Sequence, residues 1–484
     1  MVARPVTRRS FVRGAALGAA GALLAACGAT PTPQVIEKVV EKEVTKVIAQ
    51  EVTRIVEGTA QVVIETVVVK ETVVVEAPTA AQPVGEVVEI RFQDESGAGP
   101  DGFKVFTDSL LPTFEKLNPG IKVGFEPAVG DWVQKVMAQM AAGEAPDVLV
   151  SYGDFARGWM EAGQLLPLEE SFAADELSDF YDSQLNAFTI EGHLYEIPKY
   201  VAIWALAYNK DLFDAAGLAY PNDDWGWSEF LAAAEALTKR DADGRASQWG
   251  YRVMPWGFQG WAWSNGGEWM NADVMGTRIL IDEPKTMEAL KFNWDIQYTY
   301  KYAPAPQEVD QISEWDTFQT GKLGLNMSPS WQATDYILRN NFNYDYALMP
   351  KGSAGRVGHI FADGYGIYKG SKNLDAALTF LRFITGPEAE REMCTSALGL
   401  QPSRKSVASV WDTLSQGAKA SLNVRTFSEM SNGSRIDPYF KDQAKVSEIF
   451  YPLWESIWIT GTMGLEEGVA EIVQRVNEYL ATVA

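Results

Sequence analysis

Along residues 86–152 the apolar positions switch repeatedly between two spacings. Val88, Ile90 and Phe92 stand at every second position, the spacing of a strand with one buried face. Phe103, Phe106, Leu110, Phe114 and Leu117 then follow three or four apart, which predicts an amphipathic helix. Asn118, Pro119 and Gly120 end it, and Ile121, Val123 and Phe125 resume the strand spacing. Residues 132–142 return to helical spacing up to Gly143, and residues 145–152 (APDVLVSY) form a third apolar strand. Strand, helix, strand, helix, strand in this order predicts a parallel sheet carrying helices, the α/β class.

Ahead of this body the pattern changes twice. Residues 30–83 are of low complexity, almost without aromatics, and repeat Val, Glu, Lys and Thr; residues 65–70 (ETVVVK) nearly recur as 71–76. Such a segment buries no core alone, so it is expected to be a spacer. Val40, Val44, Val47 or Ile48, Val52 and Ile55 fall near helical spacing and permit a coiled coil, whereas the valine runs after Gln61 favour strand. Further upstream, the basic residues 4–13 (RPVTRRSFVR) precede a short apolar run, 14–24, which reads as an export signal. The run is shorter than the roughly 20 residues a membrane-crossing helix needs. Arg8 and Arg9 followed by Phe11 resemble the twin-arginine type. Residues 24–28 (LAACG) resemble a lipobox, which implies lipidation of Cys27 and a membrane anchor made of acyl chains rather than protein.

The chain has 484 residues, 46% of them hydrophobic, which is material for two domains and additional segments. A net charge of -23 argues against nucleic acid or an anionic bilayer as a partner, because those surfaces need Lys and Arg in excess. Cys27 and Cys394 are the only cysteines, and His193 and His359 the only histidines. A disulfide, a metal site or a cofactor is therefore not expected.

Several blocks in register carry a family resemblance: residues 114–123 (FEKLNPGIKV), 143–148 (GEAPDV), 163–168 (GQLLPL), 195–198 (YEIP), 207–218 (AYNKDLFDAAGL), 227–230 (WSEF), 265–268 (NGGE), 318–324 (FQTGKLG) and 371–388. With the lipobox in front, the chain resembles the family 1 extracellular solute-binding proteins, the group of the maltose-binding protein. The resemblance implies a two-lobed periplasmic-binding-protein type II fold, each lobe an α/β sandwich, joined by hinge crossings. Its expected organisation is a signal peptide at 1–27 and a stalk at 28–85. Lobe 1 would span 86–202 with 356–400, and lobe 2 203–355 with 401–484. Crossings are expected near residues 200–204, 352–357 and 400–404. The implied activity is capture of a carbohydrate, as a monomer lipid-anchored to the outer face of the cell membrane, and its delivery to the permease subunits of an ABC importer.

Sixteen tryptophans suit such a ligand, and Trp249, Trp256, Trp261, Trp263 and Trp269 lie close together among Gly and Asn. A sugar's C–H face stacks on aromatic rings while its hydroxyls need fixed acceptors. Taken singly, each tryptophan is as well explained by the core. The resemblance points to Asp154 and Tyr152 after the third strand, to Trp256, Trp263, Asn265 and Gly266, and to Trp331 after residues 327–330. It also points to Asp363, Gly364 and Tyr365 in the segment returning to lobe 1, and less strongly to Arg404, Trp204 and Glu95. Asp154 is open to a helix-cap role, Asn265 to a turn, Asp363 to Tyr365 to a strand end, and Arg404 to a surface ion pair. The competing class is an exported glycoside hydrolase or lyase, which needs two carboxylates flanking one bond; polyols, glycerol phosphate, polyamines and peptides are the alternative cargoes.

Overall fold

The computed structural model describes residues 40–56, 59–75, 87–95, 99–272, 275–305, 308, 317–413 and 422–483. The export segment, Cys27 and residues 28–39 lie outside the described residues. The chain divides into two compact units, one up to Pro83 and one from Val84 onward. In the first, Val40–Val56 and Thr59–Val75 pair as an antiparallel hairpin. The positions at helical spacing thus take strand geometry, in keeping with the extended preference of β-branched Val, Ile and Thr.

The second unit is built on one mixed sheet. Its strands are β1 (Val88–Asp94), β2 (Ile121–Pro127), β3 (Val148–Tyr152), β4 (Glu196–Asn209), β5 (Ala246–Arg252), β6 (Leu323–Pro329), β7 (Tyr344–Ala347), β8 (His359–Ile367) and β9 (Arg435–Ile436). The order is β2, β1, β3, β8, β4, β6, β5, closed at the edge by Lys239–Arg240; β7 also pairs with β4, and β9 with β8. The first three strands run parallel, as the sequence pattern predicts. The expected helix at 132–142 is Trp132–Ala142, ended by Gly143 in the left-handed conformation at φ 75°. The long amphipathic run is split into Gly99–Lys104, a wide π-turn Val105–Leu110, and Leu111–Leu117.

Two hydrophobic cores sit on this sheet. One gathers Phe92, Phe106, Phe114, Tyr365 and Phe380, with ring centroids about 5–6 Å apart. The other gathers Phe230, Tyr251, Trp261 and the helices Gln443–Trp458 and Leu465–Val483. Strand β4 serves both: all 14 of its residues are buried, its first half pairs with β8 and its second half with β6 and β7. A strand covered on both faces is expected to be mostly apolar, and its buried Glu196, Lys199 and Asn209 are each bonded to a partner. Along β8 core membership changes between Ile360 and Ala362. Trp331 and Phe361 pack against both cores and so mark their junction. Among the described residues no helix is long and apolar enough to cross a membrane.

Candidate functional site

Parallel strands β1 and β3 end side by side, and β8 runs antiparallel to β3 so that Asp363 stands opposite Tyr152. On the other side Asp363 pairs with Tyr200 of β4. Two strand ends, the middle of β8 and the crossing strand β4 thereby bring one polar cluster together. Asp94, fully buried, accepts from Lys199 Nζ and from the Tyr365 hydroxyl, each at 2.5 Å. Lys199 Nζ also reaches the Glu95 carbonyl at 3.3 Å, and the Tyr152 hydroxyl donates to the Glu95 carboxylate. Tyr200 shares a hydrogen bond with Asp363.

The electrostatics follow from three carboxylates around one ammonium. Burial pushes the Asp363 carboxyl up to about 7; the Glu95 charge adds to this, and Lys199 and Tyr200 pull against it. Burial also raises Asp94, in spite of Lys199 and Tyr365. Loss of solvent and the Glu95 charge hold the Tyr152 phenol far above its ordinary range, so it is a hydrogen-bond donor at any physiological pH. The wall therefore holds its carboxyl and phenol groups in fixed places through bonds to one another.

Aromatic rings adjoin the junction of the cores. Trp204, Trp331 and Phe361 form a triangle with centroids 5.5 to 5.8 Å apart. Trp263 meets the His359 ring edge-on at 5.5 Å and carries the Arg435 guanidinium 4.6 Å from its centroid. Trp204, Trp261, Met327, Val357, His359 and Met430 line a small, largely apolar cavity beside the second core.

Of the residues expected from the sequence, the structure brings Glu95, Tyr152 and Asp363 into one wall, and Trp204 and Trp331 into one aromatic group. Asp154 lies in the first turn of the helix Gly153–Glu161, and its side chain is outside the described residues. The other expected residues have the following surroundings. Tyr365 points into the first core, where its hydroxyl serves Asp94. Gly364 packs its backbone against Glu196 and Phe188, where a Cβ would come within 2.7 Å of the carboxylate. Asn265 spends its amide on Lys285 O and Glu288 and its oxygen on Ser353, binding its own lobe together; Gly266 follows in the same turn at φ 80°. Trp256 packs on Tyr451. Arg404 is buried over Phe180 and bonded to Thr385 O and Asp179, so its fork is used within the protein. The sequence reading missed Asp94, Lys199 and Tyr200. Asp94 could have been found beside Glu95, and the other two inside the first crossing, but nothing local marks either as a site residue.

The fold and this wall define a two-lobed binding protein. Residues 97–391 match the family described as bacterial extracellular solute-binding protein, and the chain belongs to that family. Such proteins work outside the cytoplasm, and they bind rather than transform their solutes. A maltodextrin-binding protein of Bacillus subtilis is 26% identical over 286 residues, 56% of this chain and 66% of that one. An ABC substrate-binding protein from Listeria monocytogenes in complex with cycloalternan superposes with a TM-score of 0.72 at 26% identity, over 82% of this chain and 100% of the other. The sugar-binding protein MalE from Xanthomonas citri shares the fold, with a TM-score of 0.66 at 20% identity over 82% and 98% of the two chains.

Proposed function

We propose that the protein captures a mono- or oligosaccharide between its lobes and hands it, chemically unaltered, to the permease subunits of an ABC importer. The observation that carries the reading is the placing of the Glu95 carboxylate and the Tyr152 hydroxyl on one wall with the aromatic group Trp204, Trp331 and Phe361. Acceptors hold hydroxyls and rings hold C–H faces, the two halves of saccharide chemistry. The relatives that carry printed sugar names support the same class. The capture cycle is closure of two lobes by a ligand that touches both, with β4 and β8 absorbing the rotation.

Export through the twin-arginine-like segment, a lipid anchor at Cys27, a spacer at 28–85 and action as a monomer complete the proposal. The sequence motifs support it, and Cys27→Ser would then release the protein from membranes in a cell fractionation. One feature of the wall would also suit a hydrolase, since Asp363 is a raised carboxyl near Glu95. Asp363 is, however, only 6% exposed and already bonded to Tyr200, which leaves it unavailable to protonate a leaving group. The test is a melting-temperature screen against mono- and oligosaccharides, followed by mass analysis of the recovered ligand. A ligand bound only by the native state raises the melting temperature. A rise with intact saccharide is the expected result; no rise with any saccharide, or shortened products, would reject the reading.

A further inference from the structure

The segment running from β9 through Phe440 touches both cores. Ile436 packs against the first, and Tyr439 lies under the Arg157 guanidinium of the helix Gly153–Glu161, 3.5 Å from ring centroid to Cζ. Arg435 and Asp437 belong to the second. Arg435 forms a two-pronged pair with Glu268, at 2.7 and 2.9 Å, and covers the Trp263 ring. Asp437 accepts on Oδ2 from Gln259 Nε2 at 3.3 Å and meets His359 Nε2 at 2.8 Å. Two partners on one oxygen fix the carboxylate and leave Oδ1 buried without a hydrogen-bond partner.

Its neighbours are in the same condition. Gln259 Oε1, His359 Nδ1 and Trp263 Nε1 are each buried and unpartnered, and all three residues are more than nine-tenths buried. Buried polar atoms are costly unless something answers them. With His359 Nε2–H directed at the carboxylate, three of the four atoms are acceptors and the indole is a donor. A hydroxyl group, which donates and accepts, matches that set. An anion does not, because Asp437 would repel it, and among the described residues no group of three His, Cys, Asp or Glu is placed to hold a metal.

We infer that Asp437, held by His359 and Gln259 and flanked by Trp263, is a hydroxyl-recognising subsite on the side of the second core. The inference rests on the carbohydrate-capture reading and adds the residues that select among saccharides. Opening the lobes would part Arg157 from Tyr439 and Ile436 from the first core, exposing the carboxylate to an incoming ligand. Closure would then bury it against a hydroxyl, so the discrimination is made by the closed form.

The experiment uses the full-length chain and calorimetric titration with maltotriose, mannotriose and their monodeoxy analogues. Asp437→Asn should weaken the trisaccharide that the wild type binds by tenfold or more, with the ligand-free melting temperature unchanged. One monodeoxy analogue should lose a similar factor against the wild type and lose nothing further against Asp437→Asn. If Asp437→Asn does not fold, Trp263→Phe, which keeps a ring and removes the indole N–H, carries the same comparison. Affinity changed less than twofold, with wild-type binding intact, overturns the subsite and leaves carbohydrate capture standing. A wild type that binds neither trisaccharide nor any monosaccharide overturns both.

Discussion

Lys199 is an ammonium with 3% of its side chain exposed, and it persists there because Asp94 lies 2.5 Å away with none of its side chain exposed. Removing one partner of such a pair strands the other, at a typical cost of about 3–5 kcal/mol. Lys199→Met is therefore expected to lower stability by roughly that amount, read as a shift in the urea midpoint. Asp94 would take up a proton to escape, so the loss should grow as pH rises. Adding Asp94→Asn should recover most of it, and a double variant no more stable than Lys199→Met would refute the pairing as the cause. The same pair shows what the sequence could and could not tell. Glu95, Tyr152 and Asp363 are candidates only through the family resemblance, which places them beside a strand end or in a returning segment. Their meeting depends on contacts 105 positions apart, as between Asp94 and Lys199, or 271 apart, as between Asp94 and Tyr365. No local pattern encodes such distances. Asp437 and His359, 78 positions apart, gave no signal at all.

Elements were more legible than sites because their causes are local. Alternating Ile121, Val123 and Phe125 make a strand wherever they fall, and Gly143 stops a helix by its own backbone freedom. The π-turn inside the helical run was not legible, since it preserves the apolar face. Close packing between elements is likewise invisible in sequence, as β5 illustrates. Gly250 lies so near the helix Trp227–Leu237 that a Cβ would stand 1.8 Å from Ala234 O. Gly250→Ala must push strand and helix apart, and is expected to cost about 1–3 kcal/mol. Gly158, in the helix Gly153–Glu161, has nothing within 4 Å of its missing Cβ. There alanine should be neutral or stabilise by roughly 0.5–1 kcal/mol, because it narrows the unfolded chain. Urea midpoints of the two variants, moving in opposite directions or differing by at least the first amount, check the packing; equal midpoints would contradict it.

At the scale of the whole molecule, three buried carboxyls tie stability to pH. Loss of solvent raises Glu196 to about 8, Glu390 to about 8 and Asp363 to about 7, from 4.5, 4.5 and 3.8 in the unfolded chain. Ser151 opposes the shift at Glu196, and Ser403 with the Arg404 backbone opposes it at Glu390. The folded protein keeps these protons to pH 7–8, whereas the unfolded chain releases them near pH 4. Between those limits the unfolded state binds fewer protons, so stability falls as pH rises. Each group contributes up to about 1.4 kcal/mol per pH unit within its window. Carboxylates held below their ordinary range, such as Asp179 beside Ser406 and Arg404, act only at lower pH and do not offset this. The protein should accordingly be more stable at pH 5 than at pH 8, with urea midpoints declining throughout. Glu196→Gln keeps the shape and the Ser151 contact while removing one titration, so it should reduce the slope by about a third. A wild-type midpoint that is flat or rising from pH 5 to 8 would show that these buried carboxyls carry charge rather than protons in the folded state.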